Sequence, residues 1–186
     1  NRAMLFGAII LAIVILAALL APWVAPYAPN KLSIINKLKP PSMTNFFGTD
    51  EFGRDIFSRA IFAGRISLLV SLGVVVISTV LGVILGVAAG FFRSLDAPIS
   101  RLLDAMMSFP DILLAIALVA ALGPSLTTVI LALGITYAPR LARIVRGSTL
   151  VLRELPYIEA AVAMGLPTWQ ILARHVLLNL ASPILV

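Results

Sequence analysis

Cysteine is missing from all 186 residues, histidine occurs once, and Asp, Glu, Lys and Arg together supply only 12% of the chain. The first absence rules out disulfides and thiolate metal sites, and one histidine leaves no cluster of metal ligands. No G-x-x-x-x-G-K-[ST] phosphate loop is present, so the chain does not bind and hydrolyse ATP by that route. Neither a Ser-His-Asp arrangement nor a close pair of buried carboxylates can be argued for hydrolysis. Basic runs interleaved with aromatic residues are absent too, and with them the usual footprint of nucleic-acid binding.

What fills the chain instead is apolar. Hydrophobic residues make up 61% of it, far above the ~45–50% of soluble domains, and the mean hydropathy is +1.09. Too little polar surface exists to cover a soluble fold, so an integral membrane protein is expected, with the lipid bilayer as its solvent. The net charge of +6, from 14 Lys and Arg against 8 Asp and Glu, reads as a topology signal.

The pattern predicts an all-α, polytopic bundle forming one transmembrane domain over 1–186. An amino-terminal span occupies 3–25; its apolar run is too long for a cleaved signal peptide. Pro22, Pro26 and Pro29 end it, and an external loop and interfacial helix follow over 26–65. Thr49 or Asp50 is a candidate cap for that helix, whose apolar stripe runs through Ile56, Phe57, Ala60, Ile61, Ala63 and Ile66. Core spans and a polar segment then fill 66–186. The second span, 66–92, carries Gly82, Gly86 and Gly90 at the four-residue spacing that lets helices approach closely. A short charged connection, Arg93 to Arg101, leads to a third span at 112–122.

Asp104 and Asp111 flank the start of that third span. A carboxylate at depth in lipid is costly, so such residues face a bundle interior, water or a partner; Arg101 or another nearby cation is the expected partner of Asp104. Asp104 is a candidate pathway residue, and Pro110 a candidate hinge, since proline frees a backbone carbonyl. A fourth span is expected over 126–144, with Arg140, Arg143, Arg146 and Arg153 marking its emergence into water. Pro156 then starts a short helix with Glu159 in its first turn and Ala160 and Ala161 as strong helix formers. The small Ala160, Ala161 and Gly165 offer a face for close approach by another protein. Gly165-Leu166-Pro167 ends this helix, and Thr168 is a candidate cap for a fifth span from Trp169. The chain closes at Val186 inside an apolar run, so a sixth span is expected beyond it. Counted by alternating faces, Arg2, the Arg93 to Arg101 connection and 140–175 share one side with eight Lys and Arg, against six in the loop from Lys31 to Arg65. That bias places the amino end and 140–175 in the cytoplasm.

Glu159-Ala160-Ala161, three residues, Gly165, and then His175 and Leu177 at fixed distances resemble the cytoplasmic signature of ABC-importer permeases, with Leu178 where that family usually has proline. The run Phe47 to Leu68, FGTDEFGRDIFSRAIFAGRISL, looks like the segment before the second helix of the C-type permease in dipeptide, oligopeptide and nickel importers. The resemblance implies a type I importer permease fold, with five spans here and six in full, in the cell inner membrane. It implies that Pro156, Glu159, Ala160, Ala161, Gly165 and Leu166 couple to an ATPase, and that this chain binds no cofactor, ATP and magnesium residing in that partner. It further implies a second, homologous permease subunit, two cytoplasmic ATPase subunits and an external substrate-binding protein. The rival class is a secondary transporter or channel in which Asp104 or Asp111 serves an ion path. Loss of the proline at Leu178 predicts a straight run there, with the bend earlier, at Pro167.

Overall fold

A computed structural model describes residues 2–185, mostly helical outside the loop 26–55; among the described residues the only β pairing is an isolated bridge between Thr49 and Asp55. The chain forms two compact units, 1–71 and 72–186.

In the first unit, α1 (Arg2–Leu19) is apolar on every side, as a helix solvated by lipid is. It gives way at Leu20 to α2 (Ala21–Val24), where Pro22 occupies the first turn and costs no donor. Residues 26–55 form a folded loop. Asp50 organises its centre, accepting from the Phe52 N–H at 2.9 Å, the Arg54 N–H at 3.0 Å and the Arg54 guanidinium at 2.8 Å, and pairing also with Arg59. Gly48 and Gly53 take φ of +73° and +71°, and a Cβ at either would collide with the Lys39 or Ser33 carbonyl, so only glycine fits these turns.

α3 (Ile56–Phe91) starts from this loop, and its cap corrects the expectation: neither Thr49 nor Asp50 serves. Asp55 does, taking the Ser58 N–H at 2.8 Å while Asn45 Nδ2 donates to its other oxygen at 2.9 Å. Thr49 ties the loop together instead, accepting the Lys39 N–H at 2.9 Å. The expected separate interfacial helix is absent, because no proline or cap interrupts the sequence from Ile56 to Phe91. One helix of 36 residues results, roughly 54 Å long at ~1.5 Å per residue.

In the second unit the expected charged connection is itself a helix, α4 (Arg93–Met107), with Pro98 in its second turn. It turns by 93° into α5 (Asp111–Leu122). Pro110 stands at that corner as the residue before α5, φ −56° and ψ 131°, since proline favours the first turn and resists continuation of α4. α5 has 12 residues, about 18 Å, too short alone for a ~30 Å hydrocarbon core.

α6 (Leu126–Arg153) opens with a reciprocal capping box between Ser125 and Thr128, and continues nine residues past the expected end at Ile144 with Pro139 inside it. Along α6 lies the glycine stripe of α3: Gly82 meets Leu141, Gly86 meets Ala142 and Val145, and Gly90 meets Arg146 and Thr149, all too close for a Cβ. Close packing is thus what those glycines provide. α7 (Pro156–Ala163), α8 (Thr168–Ile171), a π turn over Leu172–Val176 and α9 (Leu177–Leu185) complete the unit. Among the described residues three helices are long and apolar enough to cross a membrane, α1, α3 and α6, and the bent pair α4 and α5 brings the number to four if it counts as one span. The expectation of five is therefore met only in part among the described residues, the last helical run being divided.

Candidate functional site

The polar segment after α6 is shaped by local punctuation. Leu155 is extended at φ −81° and ψ 140°, Pro156 occupies the first turn of α7, and Glu159 sits there too, near the positive end of the helix dipole. At the other end Gly165 adopts φ +75°. Its N–H donates to the Val162 carbonyl at 3.0 Å while the Leu166 N–H reaches back to Ala161 at 3.2 Å, the paired reverse bonds of a Schellman stop. Thr168 does not cap α8; the extended residue there is Pro167, and Thr168 is already helical.

α7 is two-sided. Ile158 and Ala161, 1% and 2% exposed, join Val87 of α3, Val145 of α6, and Ile171, Val176 and Leu180 in one apolar cluster, with Leu166 packed against it. Glu159, Ala160, Val162 and Gly165 face outward. The expected small face is thereby corrected at one position: Ala161 is spent on internal packing, because residues three apart on a helix share a side and Ile158 is its neighbour. Beside it, Val162, Met164 and Trp169 leave large apolar surfaces exposed.

Four arginines of α6, read from sequence as a mark of emergence, are each bound elsewhere. Arg140 pairs with Asp111 at 2.7 Å, Arg143 with Asp104, and Arg146 with Asp96 through two bonds of 2.6 and 2.9 Å. As the arginine number rises the aspartate number falls, so the pairs form an antiparallel ladder from α6 to α4 and the start of α5. The cation that Asp104 finds is Arg143 of α6 rather than Arg101. Arg153 donates to the carbonyls of Gly90 and Phe91 at 3.2 and 3.4 Å, where a cation complements the carboxyl-terminal end of α3. The three-residue spacing of Arg140, Arg143 and Arg146 was the available signal for a shared face; their partners, 29 to 50 residues away, were not inferable from spacing.

Three residues outside the expected set also matter. Tyr157 of α7 lies 6.0 Å from the His175 ring, centroid to centroid. Asn179 Nδ2 donates to the His175 carbonyl at 2.6 Å and to the Tyr157 hydroxyl at 3.4 Å. Thr149, fully buried at the Gly90 crossing, has no hydrogen-bond partner for its hydroxyl among the described residues. Among those residues no three His, Cys, Asp or Glu side chains gather to hold a metal ion. The bend expected near Pro167 is present as the break between α7 and α8, and the backbone passes Leu178 helically, as its non-proline side chain allows.

Comparison with known proteins gives two family matches. The family described as "binding-protein-dependent transport system inner membrane component" matches residues 78–186, and the "N-terminal TM domain of oligopeptide transport permease C" matches residues 1–41. A putative peptide transport system permease protein of Brucella abortus biovar 1 (strain 9-941) is 47% identical over 186 residues, all of this chain and 63% of that protein. A probable D,D-dipeptide transport system permease protein of Escherichia coli (strain K12) is 39% identical over 181 residues, 97% of this chain and 61% of its own length. The oligopeptide transport system permease protein of Bacillus subtilis (strain 168) is 36% identical over 187 residues, covering 100% of this chain and 61% of that protein. The chain thus spans somewhat less than two thirds of these relatives. With its apolar spans, its glycine-packed α3 and α6, and a match over more than half its length, the chain belongs to the family of binding-protein-dependent transport system inner membrane components.

Proposed function

We propose that this chain is the membrane-spanning permease subunit of an ATP-driven importer of di- or oligopeptides, and that α7 is the element through which an ATPase moves it. The observation that carries this reading is the two-sidedness of α7. Its inner face is anchored by Ile158 and Ala161 in a cluster drawn from α3, α6 and α9, while Glu159, Ala160 and Val162 remain open to a partner. A push on the outer face therefore reaches three core helices through packed side chains, which transmit displacement because protein interiors compress little. The complex would contain a second, homologous permease subunit, two cytoplasmic ATPases holding ATP and magnesium, and an external binding protein, with alternating access as the transport mode. The amino end and 140–175 face the cytoplasm in this reading. Peptide is favoured over nickel complexes because the three relatives above carry peptide, D,D-dipeptide or oligopeptide in their names. The ion-path alternative has little to stand on, since Asp104 and Asp111 are each occupied by an arginine.

The test is reconstitution of the full subunit with its partners in proteoliposomes. ATP-dependent peptide uptake that requires the binding protein is expected, and Glu159→Lys is expected to stop it while the complex still assembles. Gly165→Asp acts through a different cause, forcing a side chain into φ +75° and breaking the stop of α7. Uptake driven by an ion gradient in the absence of any ATPase would overturn the reading.

A further inference from the structure

The π turn at Leu172–Val176 changes which residues α9 points inward. In an uninterrupted α-helix the residues sharing a face with Ile171 are four and seven or eight positions on, namely His175 and then Leu178 or Asn179. The structure instead buries Val176 and Leu180, both 0% exposed, beside Ile171 at 2%. The Leu177 N–H donates to Leu172, five residues back, so the turn absorbs one extra residue and rotates everything after it by one helical step. Two apolar residues are placed in the cluster that receives α7, and the polar pair His175 and Asn179 is moved to its flank.

That flank is where Tyr157 of α7 stands. Its ring lies against His175, and the Asn179 amide spends its two donors on the His175 carbonyl and the Tyr157 hydroxyl. The π turn is thus closed from outside by a side chain of α9 that also holds α7. Beneath it, Ile158 and Ala161 of α7 share one apolar cluster with Ile171 of α8, Val176 of the π turn and Leu180 of α9. α7 is fastened to α9 on two sides, by apolar packing below and by the Tyr157, His175 and Asn179 triangle above. The nearest charged groups on these elements, Glu159 and Arg174, face outward and take no part in it.

We propose that Tyr157, His175 and Asn179 are positioning residues that lock the register of the π turn, so that α7 and α9 move as one rigid body when the partner ATPase displaces α7. This rests on the importer reading above. The joint transmits motion without touching substrate or nucleotide: with it intact, displacement of α7 carries α9; with it loosened, α7 moves and α9 lags.

The experiment uses the full subunit assembled with its partners in proteoliposomes, and the unaltered complex first. ATP-driven peptide uptake by that complex establishes the importer reading, and its absence removes that reading rather than the joint. Asn179→Leu, of similar volume but without donors, is then expected to lose uptake while ATP hydrolysis by the complex continues, and Asn179→Gln is expected to recover part of it. Uptake and hydrolysis both unchanged in Asn179→Leu would overturn the joint. Because these 186 residues hold no cysteine, a Tyr157→Cys/Asn179→Cys pair in a complex otherwise freed of cysteine gives a second measurement, valid even if Asn179→Leu fails to assemble. Tethering the pair with a short cleavable bis-thiol reagent is expected to restore uptake over the untethered double variant. Uptake arrested by the tether and returned on its cleavage means that α7 and α9 must slide past each other, and would overturn the proposal.

Discussion

Arg146 holds Asp96 with two bonds from one guanidinium, 2.6 and 2.9 Å, across 50 residues of sequence. It is the best-formed rung of the ladder that pins α4 across α6, and Ser100 donates to the same aspartate at 3.1 Å. Bidentate geometry fixes direction as well as distance, which a lysine could not do. Asp96→Arg is therefore expected to weaken the subunit by placing like charges together, and adding Arg146→Asp to restore most of the loss. A double-mutant cycle on thermal unfolding in detergent should give a coupling of about 1 kcal/mol, the scale of partly exposed pairs. Additive losses would show that the rung contributes nothing.

The α3 and α6 crossing makes a steric prediction. At Gly86 an added Cβ would lie 2.6 Å from the Ala142 carbonyl oxygen and from Val145 Cβ, so backbone must move. Gly86→Ala is expected to cost about 1–3 kcal/mol, the range for overpacking, read as a lowered unfolding temperature. Gly7→Ala, where nothing lies within 4 Å, serves as the neutral comparison and should not lower it.

These two regions differ in how far the sequence foretold them. The glycine spacing of Gly82, Gly86 and Gly90 announces close approach because the requirement, absence of a Cβ, is written into the residue itself. The start and stop of α7 were readable for the same reason: Pro156, Gly165 and Pro167 act on their own backbone. Asp104 and Arg143 were both conspicuous, yet nothing local joins residues 39 apart; their pairing follows from the 93° turn at Pro110, a tertiary event. Thr49 and Asp50 were the caps expected from sequence, and Asp55 takes the role because Gly53, with its positive φ, turns the chain before the helix can begin. The π turn was hidden because periodicity presumes one repeat, whereas Ile171, Val176 and Leu180 follow steps of five and four.

Asp50 supplies a pH dependence. Desolvation raises its pKa, but hydrogen bonds from the Arg54 N–H, the Arg54 side chain and the Phe52 N–H, with the Arg54 charge, outweigh that and lower it from 3.8 to about 2. A depressed carboxylate stabilises the fold above its unfolded value and loses that contribution as pH falls through the folded one. The loop 26–55 is expected to hold its structure down to near pH 4 and to loosen as pH falls toward about 2, followed by amide exchange at Phe52 and Arg54. Asp50→Asn should show the loosened exchange already at neutral pH; unchanged protection would contradict the role.

Thr149 makes the opposite kind of prediction, a gain. Its Cβ and methyl lie against Gly90, while its buried hydroxyl has no partner among the described residues, and an unsatisfied buried hydroxyl costs about 1–3 kcal/mol. Thr149→Val keeps the branched shape and removes the polar atom, so the unfolding temperature in detergent is expected to rise. A fall would mean that the hydroxyl makes a bond in the assembled subunit.

The two alanines of the α7 signature separate in a labelling experiment that needs no transport. Ala160 and Ala161 are adjacent, but Ala161 is 2% exposed within the apolar cluster while Ala160 faces outward. Since these 186 residues hold no cysteine, Ala160→Cys and Ala161→Cys each add a single thiol to them, in a subunit freed of any other. Ala160→Cys in the isolated subunit is expected to react readily with a polar maleimide and Ala161→Cys slowly. In the assembled complex the outward thiol should become protected and should crosslink to the partner that covers it. If Ala161→Cys reacts as fast as Ala160→Cys, α7 is not seated on the α3, α6 and α9 cluster, and a push on it would have no packed route into the membrane.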